Sequence, residues 1–96
     1  MIHFEWDAAK AAQNERKHGV AFELATQVFA DPLHITRQDR IENYELRWQT
    51  VGMVGGVRLL LVAHLWRDED GMERIRIISA RPATPRERRQ YEQQDG

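Results

Sequence analysis

The chain has 96 residues, 42% hydrophobic and 30% charged, which reads as one soluble globular domain over residues 1–96 with a single core. It has no cysteine, so a disulfide framework, a cysteine-ligated zinc and a thiol nucleophile are all excluded, and a reducing cytosol suits it. Fourteen basic residues against fifteen acidic give a net charge of -1, so any nucleic-acid site has to be local.

The start, MIHFEWDAAK, lacks the order of a signal peptide, and no apolar run approaches the ~18 residues a bilayer crossing needs, so a cytoplasmic protein is expected. Residues 2 to 6 alternate Ile2, Phe4 and Trp6 against His3 and Glu5, as a short edge strand does. Asp7 suits a helix N-cap, Ala8 to Lys17 is alanine-rich, and Gly19 is placed to end that helix. Phe22, Ala25, Val28 and Phe29 then recur at helical spacing, predicting a second helix from about Phe22 to Ala30, before Pro32.

From Leu33 the period becomes that of strands. Leu33 to Arg37 predicts a short strand, Gln38 to Asn43 a polar turn, and Tyr44 to Val51 a strand with Tyr44, Leu46, Trp48 and Thr50 on one face. Gly52 to Gly56 predicts a hairpin, Val57 to Trp66 the most buried strand, and Asp68 to Gly71 the next turn. Such short links leave each strand beside its sequence neighbour. Thr84-Pro85-Arg86-Glu87 is a capping box with proline at the first helical position, opening a helix to about Gln93 whose only large apolar residue is Tyr91. The fold class expected is α+β, with a four-stranded antiparallel sheet, the N-terminal strand as an optional extra edge, an N-terminal helical pair and a C-terminal helix.

The strand Glu73 to Arg81, ERIRIISAR, carries three arginines among β-branched residues. Regular alternation places Arg74 and Arg76 on one face and Arg81 on the other, in each case beside isoleucine. Arginine presents a planar fork that matches phosphate oxygens, so this stretch predicts an anion-binding surface. The chain has twelve arginines against two lysines, Lys10 and Lys17.

The four histidines lie on four different elements, which supplies no clustered metal-ligand spacing, and no cofactor is expected. Histidine and carboxylate beside arginine remain, a sufficient kit for cutting RNA without metal. The 2′-hydroxyl has to lose a proton, the phosphorane needs stabilising, and the leaving oxygen has to gain a proton. Glu45 or His64 suits the first task, arginines the second and His64 the third. Glu45 and Arg47 share a strand face. If His64 pairs with Ile75, Arg81 shares its face; a register one residue different substitutes Arg74 and Arg76. His64 also fits a core histidine satisfied by a backbone carbonyl, and the arginines a binding module that holds an acidic partner or acts as corepressor.

The stretches FEWD (Phe4 to Asp7), KHGV (Lys17 to Val20), FELATQVFADP (Phe22 to Pro32), YELRWQTVG (Tyr44 to Gly52), and IRIISARPAT with ERRQYE (from Ile75 to Glu92) resemble, in order and spacing, the BrnT toxins of bacterial type II toxin-antitoxin systems. The resemblance implies a RelE-like fold and a metal-independent ribonuclease that slows translation and growth. It implies neutralisation by a BrnA-type antitoxin whose ribbon-helix-helix part binds DNA. Carried over by position, it implies Arg47 and Arg81 as phosphate ligands, Glu45 as base or orienter, His64 as acid, and Arg67 beside them. Arg74 and Arg76 join the RNA-binding surface, with Lys17 and His18 as a second tier.

Overall fold

Apolar residues on both faces of the central strands require cover on both sides of the sheet, and that requirement organises the molecule. The computed structural model describes residues 2–94. Its elements are β1 (Ile2–Glu5), α1 (Ala8–His18), α2 (Phe22–Ala25), a 3-10 turn (Thr26–Ala30), β2 (Ile35–Glu42), β3 (Glu45–Val54), β4 (Arg58–Glu69), β5 (Met72–Pro82) and α3 (Pro85–Glu92).

α1 begins where the Asp7 carboxylate accepts from the Lys10 amide at 3.0 Å and ends at Gly19, whose φ of 70° is left-handed. The second helix is shorter than its periodicity predicts, because it tightens to 3-10 geometry from Thr26. Its N-cap is Ala21, which makes no capping hydrogen bond.

The sheet has five strands in the order β1-β5-β4-β3-β2, not four. β2 to β5 form the expected antiparallel meander, and β1 adds to the outer edge of β5 in parallel, with Phe4 opposite Ile75. Alternation identifies a strand but carries no information on its direction or partner. β2 and β4 also run past the predicted limits. The β2–β3 turn narrows to Asn43 and Tyr44, at φ 52° and 64°, and the β4–β5 turn to Asp70 and Gly71, at φ 53° and 79°. Two consecutive positive φ values match the twist of a tight hairpin.

On one face of the sheet, Val20, Phe22, Ala25 and Val28 pack against Leu60, Val62, Ile75, Ile77 and Ala80. Gly52 makes room for this layer, since a Cβ there would sit 2.7 Å from the Val28 carbonyl oxygen. On the opposite face α3 covers one end only, with Tyr91 against Val51, Leu59 and Leu61. Tyr91 donates to Asp31 Oδ2 at 2.6 Å, and Arg81 makes a two-bond pair with Glu87 at 2.9 and 3.0 Å. These polar ties replace the apolar stripe that α3 lacks. No helix of the described residues is long and apolar enough to cross a membrane.

Candidate functional site

The position of every arginine on β5 depends on one extra residue. Ala63 pairs with Ser79 while the next residue, His64, pairs with Ile77, so Ile78 is left without a partner as a bulge. A bulge resets the alternation beyond it. Arg74 and Arg76, opposite Arg67 and Leu65, therefore share a face with Arg81, opposite Leu61, instead of lying back to back with it. Ala80 turns the other way, into the core with Val62.

This face is open over half the sheet. Its rows follow from the registers: Arg37, Gln49, Ala63 and Ser79 form one; Leu65, Arg76 and Glu5 another; Arg67, Arg74 and His3 a third. Arg47 and Glu45 lie on the same face of β3, since Arg47 alternates with Gln49. Neighbouring strands are about 4.8 Å apart, so adjacent members of a row are within reach of one phosphate.

Acidic side chains already pair with several of these arginines. Glu69 lies 3.6 Å from Arg67 and 3.9 Å from Arg74, and Glu42 lies 3.3 Å from Arg47. Exposed pairs of this kind contribute at most about 1 kcal/mol and are readily exchanged for another anion. Arg47 is the most enclosed, its side chain 22% exposed, and its Nε is buried with no hydrogen-bond partner. That donor lies out of reach of solvent, so an anion would meet Arg47 through the outer part of the guanidinium, where Nη1 now pairs with Glu42. Arg81 is engaged with Glu87; their hydrogen bonds hold the guanidinium pKa up and the carboxyl pKa down.

His64 is not part of this group. It lies on the opposite, helix-covered face, 2% exposed, with its ring 5.0 Å from that of Phe29. Desolvation pushes its pKa down to about 4, only partly offset by the bond to the Leu65 carbonyl. Nδ1–H donates to that carbonyl at 3.3 Å, which leaves Nε2 to accept from the Thr50 hydroxyl at 2.8 Å, itself 2.7 Å from Thr36. A neutral imidazole sealed behind the sheet cannot hand a proton to a leaving group on the other side, so the expected meeting of His64 with Arg47 and Arg81 does not occur. Neither expected register is found, because the bulge gives His64 the partner Ile77. Lys17 and His18 also lie away from the arginine face, at the C-terminal end of α1.

Sequence reasoning missed His3 and Glu5. Phe4 packs on Phe29 at 5.5 Å in the helix-covered layer, so its neighbours His3 and Glu5 point to the arginine face, level with Arg74 and Arg76. The alternation of IHFEW held the signal for the face; only the parallel pairing supplies the neighbours.

A family model described as the ribonuclease toxin, BrnT, of type II toxin-antitoxin systems matches residues 6–87. The chain belongs to the BrnT family. Among solved structures it is similar to the ribonuclease toxin BrnT of Brucella abortus, at 25% identity over 88% of this chain and 97% of that one, with a TM-score of 0.60. No curated protein matches it.

A BrnT toxin has RNA as its substrate and a protein antitoxin as its partner, as the ribonuclease and type II descriptions require. The open face offers such a chain what a polyanion needs, with guanidinium groups on neighbouring strands. Imidazole and carboxylate stand in the same rows.

Proposed function

We propose that this BrnT-family protein is an endoribonuclease that lays single-stranded RNA across the open face of its sheet and cuts it, without a metal, through the 2′-hydroxyl. Arg47, Arg67, Arg74 and Arg76 hold the phosphates and stabilise charge at the phosphorane, and Arg81 joins them when phosphate displaces Glu87. Proton transfer falls to His3 and the carboxylates of that face, Glu45 and Glu5, in place of His64. Cleavage slows translation and growth until a BrnA-like ribbon-helix-helix antitoxin neutralises the toxin, and the fold is of the RelE type.

The observation that supports this reading best is that Arg74, Arg76 and Arg47 share the uncovered part of one face, with Arg81 on the same face where α3 begins to cover it. Electrostatic stabilisation by fixed donors is the largest catalytic contribution such a surface can make.

The test is cleavage of an end-labelled single-stranded RNA with chelator present, by wild type and by Arg47→Ala and Arg76→Ala. Losing one charge-assisted phosphate contact, about 1.5–3 kcal/mol, predicts a fall of about tenfold to a hundredfold. Products ending in 2′,3′-cyclic phosphate identify the 2′-hydroxyl as nucleophile. Folded variants that cut as fast as wild type would refute the site. RNA bound but left intact would support the non-catalytic module instead.

A further inference from the structure

The second half of the helix-covered face is not filled by helices. Beyond α2 and the 3-10 turn lies a cavity of about 400 Å³, walled by Phe29, Trp48, Trp66 and Ile75, with His64 and Glu73 among its lining residues. Trp48 and Trp66 meet edge to face at 5.3 Å. Glu73 is half-buried, and its Oε2 accepts from the Trp66 indole N–H at 3.0 Å. Among the described residues no lysine, arginine or histidine lies within ion-pair distance of Glu73.

A carboxylate in the wall of an indole-lined cavity, bonded to one of the two rings and with no cation of its own, is half of a binding site. Partial burial raises the cost of an unpaired charge. A ligand that brings a cation repays that cost twice, by pairing with the carboxylate and by lying on the indole faces, where the ring quadrupole attracts positive charge. Guanidinium fits this box better than ammonium, because it is planar, stacks on indole and presents parallel donors to a carboxylate. His64, neutral and turned to Thr50, adds no opposing charge.

Charge is also segregated by face. Arg47, Arg67, Arg74, Arg76 and Arg81 point away from this cavity, while Asp68, opposite Glu73, adds negative charge at its end. A phosphate backbone would be repelled here. The surroundings are apolar instead: Ile2 is 37% exposed, Leu46 36% and Ile41 72%, all on this side of the sheet. Exposed apolar side chains gathered around a pocket mark a protein interface.

We propose that the cavity receives an arginine side chain from a partner polypeptide, its guanidinium against Trp48 and Trp66 and paired with Glu73, with flanking apolar residues on Ile2, Leu46 and Ile41. In a type II system that polypeptide is the antitoxin, which would then grip the toxin on the face opposite the RNA site. The site deepens the partner reading but does not depend on catalysis.

The test uses the tripeptide acetyl-Leu-Arg-Leu-amide, the same peptide with citrulline as its neutral isostere, and a six-nucleotide oligouridylate, each followed through the indole N–H resonances of the intact protein. The arginine peptide should shift the Trp48 and Trp66 signals saturably, and the citrulline peptide should bind about fivefold more weakly or not at all. Glu73→Gln, which still accepts from the Trp66 indole, should remove the difference between the two peptides while leaving RNA cleavage unchanged. Arg76→Ala should leave the arginine response intact even if it abolishes cleavage, so the two sites fail separately. Equal response to arginine and citrulline, or indole shifts produced by the oligouridylate alone, would overturn the proposal.

Discussion

Acidification from neutral pH should unfold this protein earlier than its carboxylates alone require, and His64 is the reason. In the unfolded chain a histidine titrates near 6.5, whereas burial holds the folded His64 at about 4. Between these values the unfolded state binds the extra proton, so stability rises with pH there and is lost as pH falls from about 6.5 to about 4. A gap of about 2.5 units corresponds to about 3 kcal/mol at full effect, of which about 2 kcal/mol should already be gone near pH 5. Asp31 and Glu87, held below the usual carboxylate range, begin to lose their contributions only as pH falls through about 4.5, so most of the His64 window lies above theirs. Urea unfolding of wild type and His64→Gln at half-unit steps of pH measures the difference, since glutamine keeps a polar partner for Thr50 but cannot titrate. The slope between the two pKa values should vanish in the variant. An unchanged slope, or a His64 resonance that titrates near its ordinary value in the folded protein, would refute the reasoning.

Gly52→Ala should lose about 1–3 kcal/mol in urea unfolding, because the new methyl meets the Val28 backbone and Cβ at 2.7 and 2.8 Å, with no flexible end to yield. Asp31→Asn should loosen α3. One carboxylate accepts from the Leu33 amide, the Met53 amide and the Tyr91 hydroxyl, and an amide offers a single acceptor oxygen. A loss of about 1–3 kcal/mol with faster hydrogen exchange in α3 is expected, and exchange rates equal to wild type would count against it. Arg81→Lys should break the two-bond pair with Glu87 and raise the Glu87 carboxyl toward its ordinary value, seen by NMR titration, whereas an unmoved Glu87 would show that the capping bonds from Thr84 suffice.

Local chemistry was readable wherever one residue acts on its own neighbours. Asp7 and Gly19 bound the first helix as expected, Thr84 and Glu87 form the capping box, and the apolar stretch around Leu60 is the most buried strand. What escaped sequence reasoning depends on pairing between distant strands. Alternation through ERIRIISAR sets Arg81 opposite to Arg74, and nothing in those nine letters announces that Ile78 drops out of register. The same bulge separates His64 from Arg74 and Arg76, while plain alternation sets Arg47 and Arg81 on the other face. A histidine in a leucine-rich strand reads equally as core or catalyst, and the hydroxyls of Thr50 and Thr36, which decide for the core, come from other strands. β1 was visible as a strand, but its parallel seat beside Arg74 and Arg76 was not, and with it went His3 and Glu5.

That seat has a consequence for biosynthesis. β1 finds its sheet partner only in residues 73 to 76, so it waits, unpaired, until β5 has emerged from the ribosome. A face that takes its imidazole and one carboxylate from β1 cannot be assembled on a chain that stops before β5. Nascent chains arrested before β5 should accordingly leave the amides of β1 unprotected from exchange, and early protection there would show another partner at work.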